Sequence, residues 1–213
     1  MLFEKKQIRT ENPISEICGY GLKYSFGFEN RQQKETMPVL KCTRKLVRAL
    51  GKSADKLFSA NPDNDTSILG CWSAHLVIFS RIRFVLFINA KTLLTIFIPF
   101  KPKETLLERF RQALFKEFLR LGVAPDKATE ETLKFQNFTL EKNTDRSVIG
   151  SMNEMAFQYK FLLALHLERY GSFNLEVIQA LANETPHVKR KNSIPEYYIQ
   201  ELFGVERQKV RFH

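Results

Sequence analysis

The stretch Trp72–Ile98, WSAHLVIFSRIRFVLFINAKTLLTIFI, decides the fold. It divides into three runs, 72–79, 82–89 and 93–98, rich in the β-branched and aromatic side chains that suit a pleated surface. Only Ser80-Arg81 and Ala90-Lys91-Thr92 separate them. Connections that short force neighbouring strands to pair antiparallel, so the stretch reads as a three-strand meander. The middle run is apolar on both faces, with Ile82, Phe84, Leu86 and Ile88 on one and Val85 and Phe87 on the other. Such a strand is covered on both sides. Pro99 and Pro102 end the sheet.

Helices flank this centre. In 103–121 (KETLLERFRQALFKEFLRL), Leu107, Phe110, Leu114, Phe118 and Leu121 recur at three- and four-residue steps, and Gly122 stops the pattern. Ser151-Met152-Asn153-Glu154 fits a capping box at the head of a helix over 151–170, with an earlier start at Asp145 or Ser147 as the alternative. Val39–Cys42 reads as a short strand, Thr43 as the cap of a helix through Leu50, and Phe135–Leu140 as a further strand. The fold class expected is α+β: an antiparallel sheet with a central three-strand meander, packed by two long helices, with a helical C-terminal segment. Residues 1–36 read as an N-terminal extension in which GYGLKYSFGF (19–28) has strand-like alternation. Residues 37–184 read as the core domain and 185–213 as a basic helical appendage.

The chain carries 33 Lys and Arg against 23 Asp and Glu, a net charge of +10. The excess is concentrated: Lys41, Arg44, Lys45, Arg48, Lys52 and Lys56 face only Asp55 within 37–60, and 81–120 is similarly basic. Clustered positive charge is the footprint expected of a surface for nucleic acid or another polyanion, and it also serves solubility alone. Arg44, Lys45, Arg48 and Lys52 on one element, and Arg109, Lys116 and Arg120 on another, are the candidate phosphate contacts. No helix-turn-helix, zinc-finger or RNA-binding core motif accompanies them.

Other chemistries find little support. The four histidines, His75, His166, His187 and His213, are scattered, so no metal site is expected. Neither a phosphate loop nor a nucleophile elbow occurs, and no catalytic residue or cofactor is assigned. An odd number of cysteines, Cys18, Cys42 and Cys71, with no C-x-x-C pair, and the lack of an apolar leader read as reduced thiols and a cytoplasmic location. No apolar run reaches the ~18 residues of a membrane span.

The remaining candidate lies in NTDRSVIGSMNEMAFQYK, 143–160. Arg146 stands at a helix start, where backbone N–H groups favour anions, and Ser147, Ser151 and Asn153 lie near it. The four together are a candidate anion pocket; the alternative is that Asp145 pairs with Arg146 and both only shape the turn.

Several segments resemble an uncharacterised bacterial domain-of-unknown-function family. They are Leu40–Leu46, Leu69–Ala74, Phe87–Asn89 with Lys91–Leu93, Glu108–Phe110 and above all Asn143–Asn153. The resemblance covers about residues 37–170, with Cys71 a departure where such sequences are more often acidic. It implies no activity and no site residues. Three readings follow. The first is non-catalytic binding of nucleic acid or another polyanion through the basic helices. The second is an enzyme acting on a phosphorylated or nucleic-acid substrate, with its anion pocket at Arg146. The third is a protein-interaction subunit that docks a partner through residues 1–36.

Overall fold

Ser80 and Arg81 both adopt positive φ, 44° and 68°. Two such central residues twist a two-residue loop in the same sense as the strands it joins, so they close a tight hairpin. The structure is a computed structural model and describes residues 38–51, 67–136, 138–186 and 194–206. The N-terminal extension with GYGLKYSFGF, Lys52 and the loop that follows it, Ser193 and the tail beyond Glu206 lie outside the described residues. Along the chain run β1 (Val39–Cys42), α1 (Arg44–Leu50), β2 (Trp72–Phe79), β3 (Ile82–Asn89), β4 (Thr95–Pro99), α2 (Leu106–Arg120), α3 (Pro125–Leu133), β5 (Thr139–Lys142), α4 (Arg146–Tyr170), α5 (Leu175–Glu184) and α6 (Pro195–Phe203).

The meander forms as its turns require. β2 and β3 pair antiparallel from Phe79↔Ile82 to Trp72↔Asn89, and β4 pairs antiparallel with β3 from Ile88↔Thr95 to Phe84↔Pro99. β4 starts two residues later than the apolar run. The Asn89 side chain accepts from Lys91 N, Thr92 N and Thr92 Oγ1, and Leu93 takes φ 61°. Those bonds draw Leu93 and Leu94 into the turn.

The sheet as a whole is mixed, not antiparallel. Its order is β4-β3-β2-β1-β5, and β1 pairs parallel with both β2 (Leu40↔Trp72) and β5 (Leu40↔Leu140). Only strands joined by tight turns advertise their direction in sequence. β1 reaches β2 through α1 and a long connection, and such a crossover returns the chain to the same end of the sheet. The strand expected at 135–140 forms instead at Thr139–Lys142, while Phe135 is buried with its ring 6.1 Å from that of Trp72.

The sheet divides the core. Trp72, Ala74, Leu76, Val85, Phe87 and Ile96 pack with residues of α1, α2, α3 and α6 on one face. Val77, Phe84, Leu86, Ile88 and Phe97 pack with α4 and α5 on the other. β3 is thus covered on both sides. In α6, from the segment read as an appendage, Ile199 and Phe203 join the first cluster, the Phe203 ring lying 5.1 Å from that of Phe118.

β4 is a sheet edge, and α5 closes it with side-chain amides. Asn183 Oδ1 accepts from Thr95 N (2.9 Å) and Thr95 Oγ1 (2.6 Å), while Asn183 Nδ2 donates to Thr95 O (3.0 Å) and Glu117 Oε1 (2.8 Å). Gln179 Oε1 accepts from Phe97 N (2.9 Å), and its Nε2 donates to Glu117 Oε2 (3.0 Å). Backbone groups open to pairing with another chain are therefore occupied. Every member of this network is buried, so removing one strands the others. Asn183→Leu should cost about 3 kcal/mol or more, the sum of several unsatisfied buried groups, as read by urea unfolding. A loss below about 1 kcal/mol would show that the edge closure contributes little.

Candidate anion site at the carboxyl ends of β1 and β5

β1 and β5 stop side by side: Cys42 is in register with Lys142 and with Ala74 of β2. β2 continues to Phe79, so its upper half has no strand neighbour on that side among the described residues. Asn143 N donates to Cys42 O and Thr43 N to Ala74 O, both 3.0 Å, and these bonds floor the notch. The chain leaves β1 into α1, whose Leu46 and Val47 join the first core cluster. It leaves β5 into α4, whose Met152, Met155 and Tyr159 join the second. Where adjacent parallel strands send their chains to opposite faces, a crevice opens at their carboxyl ends, the usual place for ligands in such sheets.

Thr43 opens α1, yet its hydroxyl makes no cap bond. It lies 3.2 Å from Nδ1 of His75, on the face of β2 turned towards α4. His75 is half-buried. Burial holds its pKa below the usual histidine value, and the charges of Lys45 and Lys160 push the same way. Its resting form at neutral pH is therefore the uncharged imidazole. Arg44, Lys45 and Arg48 are exposed and have no acidic partner among the described residues.

α4 takes the earlier of the starts read from the sequence, at Asp145, and not the capping box at Ser151. Asp145 is the N-cap, and its carboxylate accepts from Ser147 N (2.8 Å) and Val148 N (3.2 Å). Asn143 is buried, accepts from Asp145 N at 3.1 Å and donates to Ser73 Oγ at 3.2 Å, so the loop reaches Asp145 from an anchored point. An aspartate in extended conformation competes better for these amides than Ser151, which sits a turn inside the helix and donates to Ser147 O at 3.3 Å. Arg146, Ser147 and Asn153 are exposed. Arg146 and Asn153 share a helix face but stand ~10 Å apart along the axis. Asp145 is committed to the helix amides and makes no ion pair with Arg146 among the described residues.

The cations of α2 are placed differently. Arg109 donates to Pro99 O and Pro102 O, both at 2.7 Å, and ties down the turn after β4. Lys116 pairs with Glu176 at 3.0 Å. Arg120 pairs with Glu117 (2.9 Å), Glu184 (3.3 Å) and Glu196 (3.4 Å), joining α2 to α5 and α6. Among the described residues no group of His, Cys, Asp and Glu is arranged to hold a metal ion, and no helix is long and apolar enough to cross a membrane. Sequence reasoning missed the contact of Thr43 with His75. Thr43 reads as a cap and His75 as a lone strand histidine, and only the parallel register brings them together.

Two outcomes check this geometry. Asp145→Ala should destabilise the protein by about 1 kcal/mol through loss of the cap. By NMR, His75 should titrate below the ordinary value of about 6.5, and Lys45→Gln/Lys160→Gln should move its midpoint upward. Because the folded pKa is depressed, this histidine leaves stability untouched above pH ~6.5 and lowers it as pH falls towards the folded midpoint.

No curated protein matches the chain. Over residues 39–197, from β1 into α6, it matches the family described as Domain of unknown function (DUF6933), and it belongs to that family.

Proposed function

We propose that this protein is a non-catalytic binder of nucleic acid or another polyanion, and that Arg44, Lys45 and Arg48 of α1 form its main contact surface, with Arg146 at the start of α4 as a further exposed cation. The observation that carries this reading is the contrast between two sets of cations. Arg109, Lys116 and Arg120 are held by carbonyls and carboxylates of the protein itself, whereas the cations of α1 are exposed and without acidic partners among the described residues. Unpaired cations grouped at the carboxyl end of parallel strands lower the cost of bringing in a polyanion and release counterions when it binds. Burial pushes the Cys42 thiol up to about 12, which leaves it unreactive.

The second reading is an enzyme acting on a phosphorylated substrate. It is favoured by the Thr43–His75 contact, since a hydroxyl beside an uncharged imidazole is a nucleophile–base geometry.

Fluorescence anisotropy with a labelled single-stranded oligonucleotide separates the two cation sets. Affinity should fall steeply with salt, and Arg44→Glu/Arg48→Glu should weaken it at least tenfold, while Lys116→Gln should change it less than about threefold. Binding that ignores both salt and the α1 charge reversal would sink the reading.

A further inference from the structure

Resting on the polyanion reading, we propose that the hairpin end of the sheet binds the backbone of a nucleic-acid duplex, through Arg81, Arg83, Lys101 and Lys103 together with Arg44 and Arg146. The sheet is polarised. β1 runs parallel with β2 and β5, and β4 lies antiparallel to β3 as β2 does. Four of the five strands therefore end on the same side, and each exit carries positive charge. Arg44 follows β1, Arg81 follows β2 with Arg83 just inside β3, Lys101 and Lys103 follow β4, and Arg146 follows β5. All six are exposed, and none has an acidic partner among the described residues. The carboxylates in the same exits are Glu104 and Asp145, and Asp145 is committed to the amides of α4. At the other end, the entry to β2 and the β3–β4 turn carry one cation, Lys91, whose ammonium donates to Ile68 O at 3.4 Å.

Two features set the hairpin end apart from a basic surface that serves solubility. Ser80 and Arg81 hold positive φ, 44° and 68°, a conformation that asparagine and glycine take at lower cost. Backbone preference alone favours Asn-Gly there, and the chain places an arginine at the tip instead. The cations also stand at two levels. β1 ends in register with Ala74 while β2 continues to Phe79, so the tip lies about 16 Å beyond the ends of β1 and β5. Phe100 N donates to Arg83 O at 2.9 Å, and Lys103 Nζ lies 5.6 Å from the centre of the Phe100 ring, which keeps the β4 exit beside the hairpin.

Across the five strands the exits span about 19 Å, enough to meet both phosphate rows that border a groove about 12 Å wide. A single strand offers one row. A duplex also presents one charge per ~1.7 Å of its axis, a dense array for such a surface to neutralise. The exposed apolar residues at this end are Ile78 and Ile82. The exposed rings lie on α4 (Phe157, Phe161, Tyr170) and α6 (Tyr197, Tyr198), so none among the described residues stands at the hairpin to stack on an unpaired base.

Fluorescence anisotropy with a labelled duplex and its single strand at equal salt is the test. The duplex should bind roughly tenfold more tightly or better. Arg81→Glu/Arg83→Glu and Lys101→Glu/Lys103→Glu should each weaken duplex binding roughly tenfold, while Lys116→Gln changes it less than about threefold. Ser80→Asn/Arg81→Gly removes the tip charge in a turn that suits the backbone better, so it should melt no lower than the wild type and still bind the duplex more weakly. Full affinity in these variants overturns the inference. So does a single strand bound as tightly as the duplex, or a preference for phosphatidylserine vesicles over the duplex. If Arg44→Glu/Arg48→Glu then still weakens salt-dependent binding of the single strand, the polyanion surface stands and only the duplex site fails. If that dependence is absent as well, both fail.

Discussion

β1 is hydrogen-bonded on both sides to strands that run parallel with it, and the rest of the molecule is arranged around that pairing. Parallel neighbours run towards the same end of the sheet, so the helices that follow β1 and β5 leave the sheet at that end. One goes to each face. The result is a core in two halves divided by the sheet, and a notch where β1 and β5 stop while β2 continues. The antiparallel meander supplies side chains to both core clusters, but it has no such opening. Position and chemistry of the candidate site both follow from the parallel part.

The charged residues divide along the same line. Away from the notch, cations tie elements together. Arg120 joins three helices through carboxylates, Arg109 holds the turn after β4, and the amides of α5 seal the β4 edge against Glu117. A group enclosed by such bonds would have to break them to receive a ligand, and the desolvation already overcome would be lost. At the start of α1, by contrast, Arg44, Lys45 and Arg48 are exposed and pair with no carboxylate among the described residues.

Much of the fold was legible because it depends on local signals. The β3 run is apolar on both faces, the two-residue separation at Ser80-Arg81 permits only a hairpin, and the apolar steps from Phe110 to Phe118 define one face of α2. The misreadings have a common cause. Ser151 has the right partner three residues on, yet Asp145 reaches the amides first because buried Asn143 anchors the preceding loop. Leu93 and Leu94 look like strand, yet the Asn89 side chain folds them into a turn. In each case a side chain fixed by packing outcompeted a local pattern.

By itself the sequence determined the meander, the amphipathic face of α2 and the concentration of positive charge around α1. Periodicity, turn length and composition act over a few residues, so they can be read along the chain. Only the tertiary structure decided that the sheet is mixed, that α2's arginines and lysine are internal ties, and that Thr43 and His75 meet. Those facts depend on register between strands distant in sequence. A parallel pairing leaves no turn between its partners to announce it, so the contact of Thr43 with His75 exists only once the chain has folded.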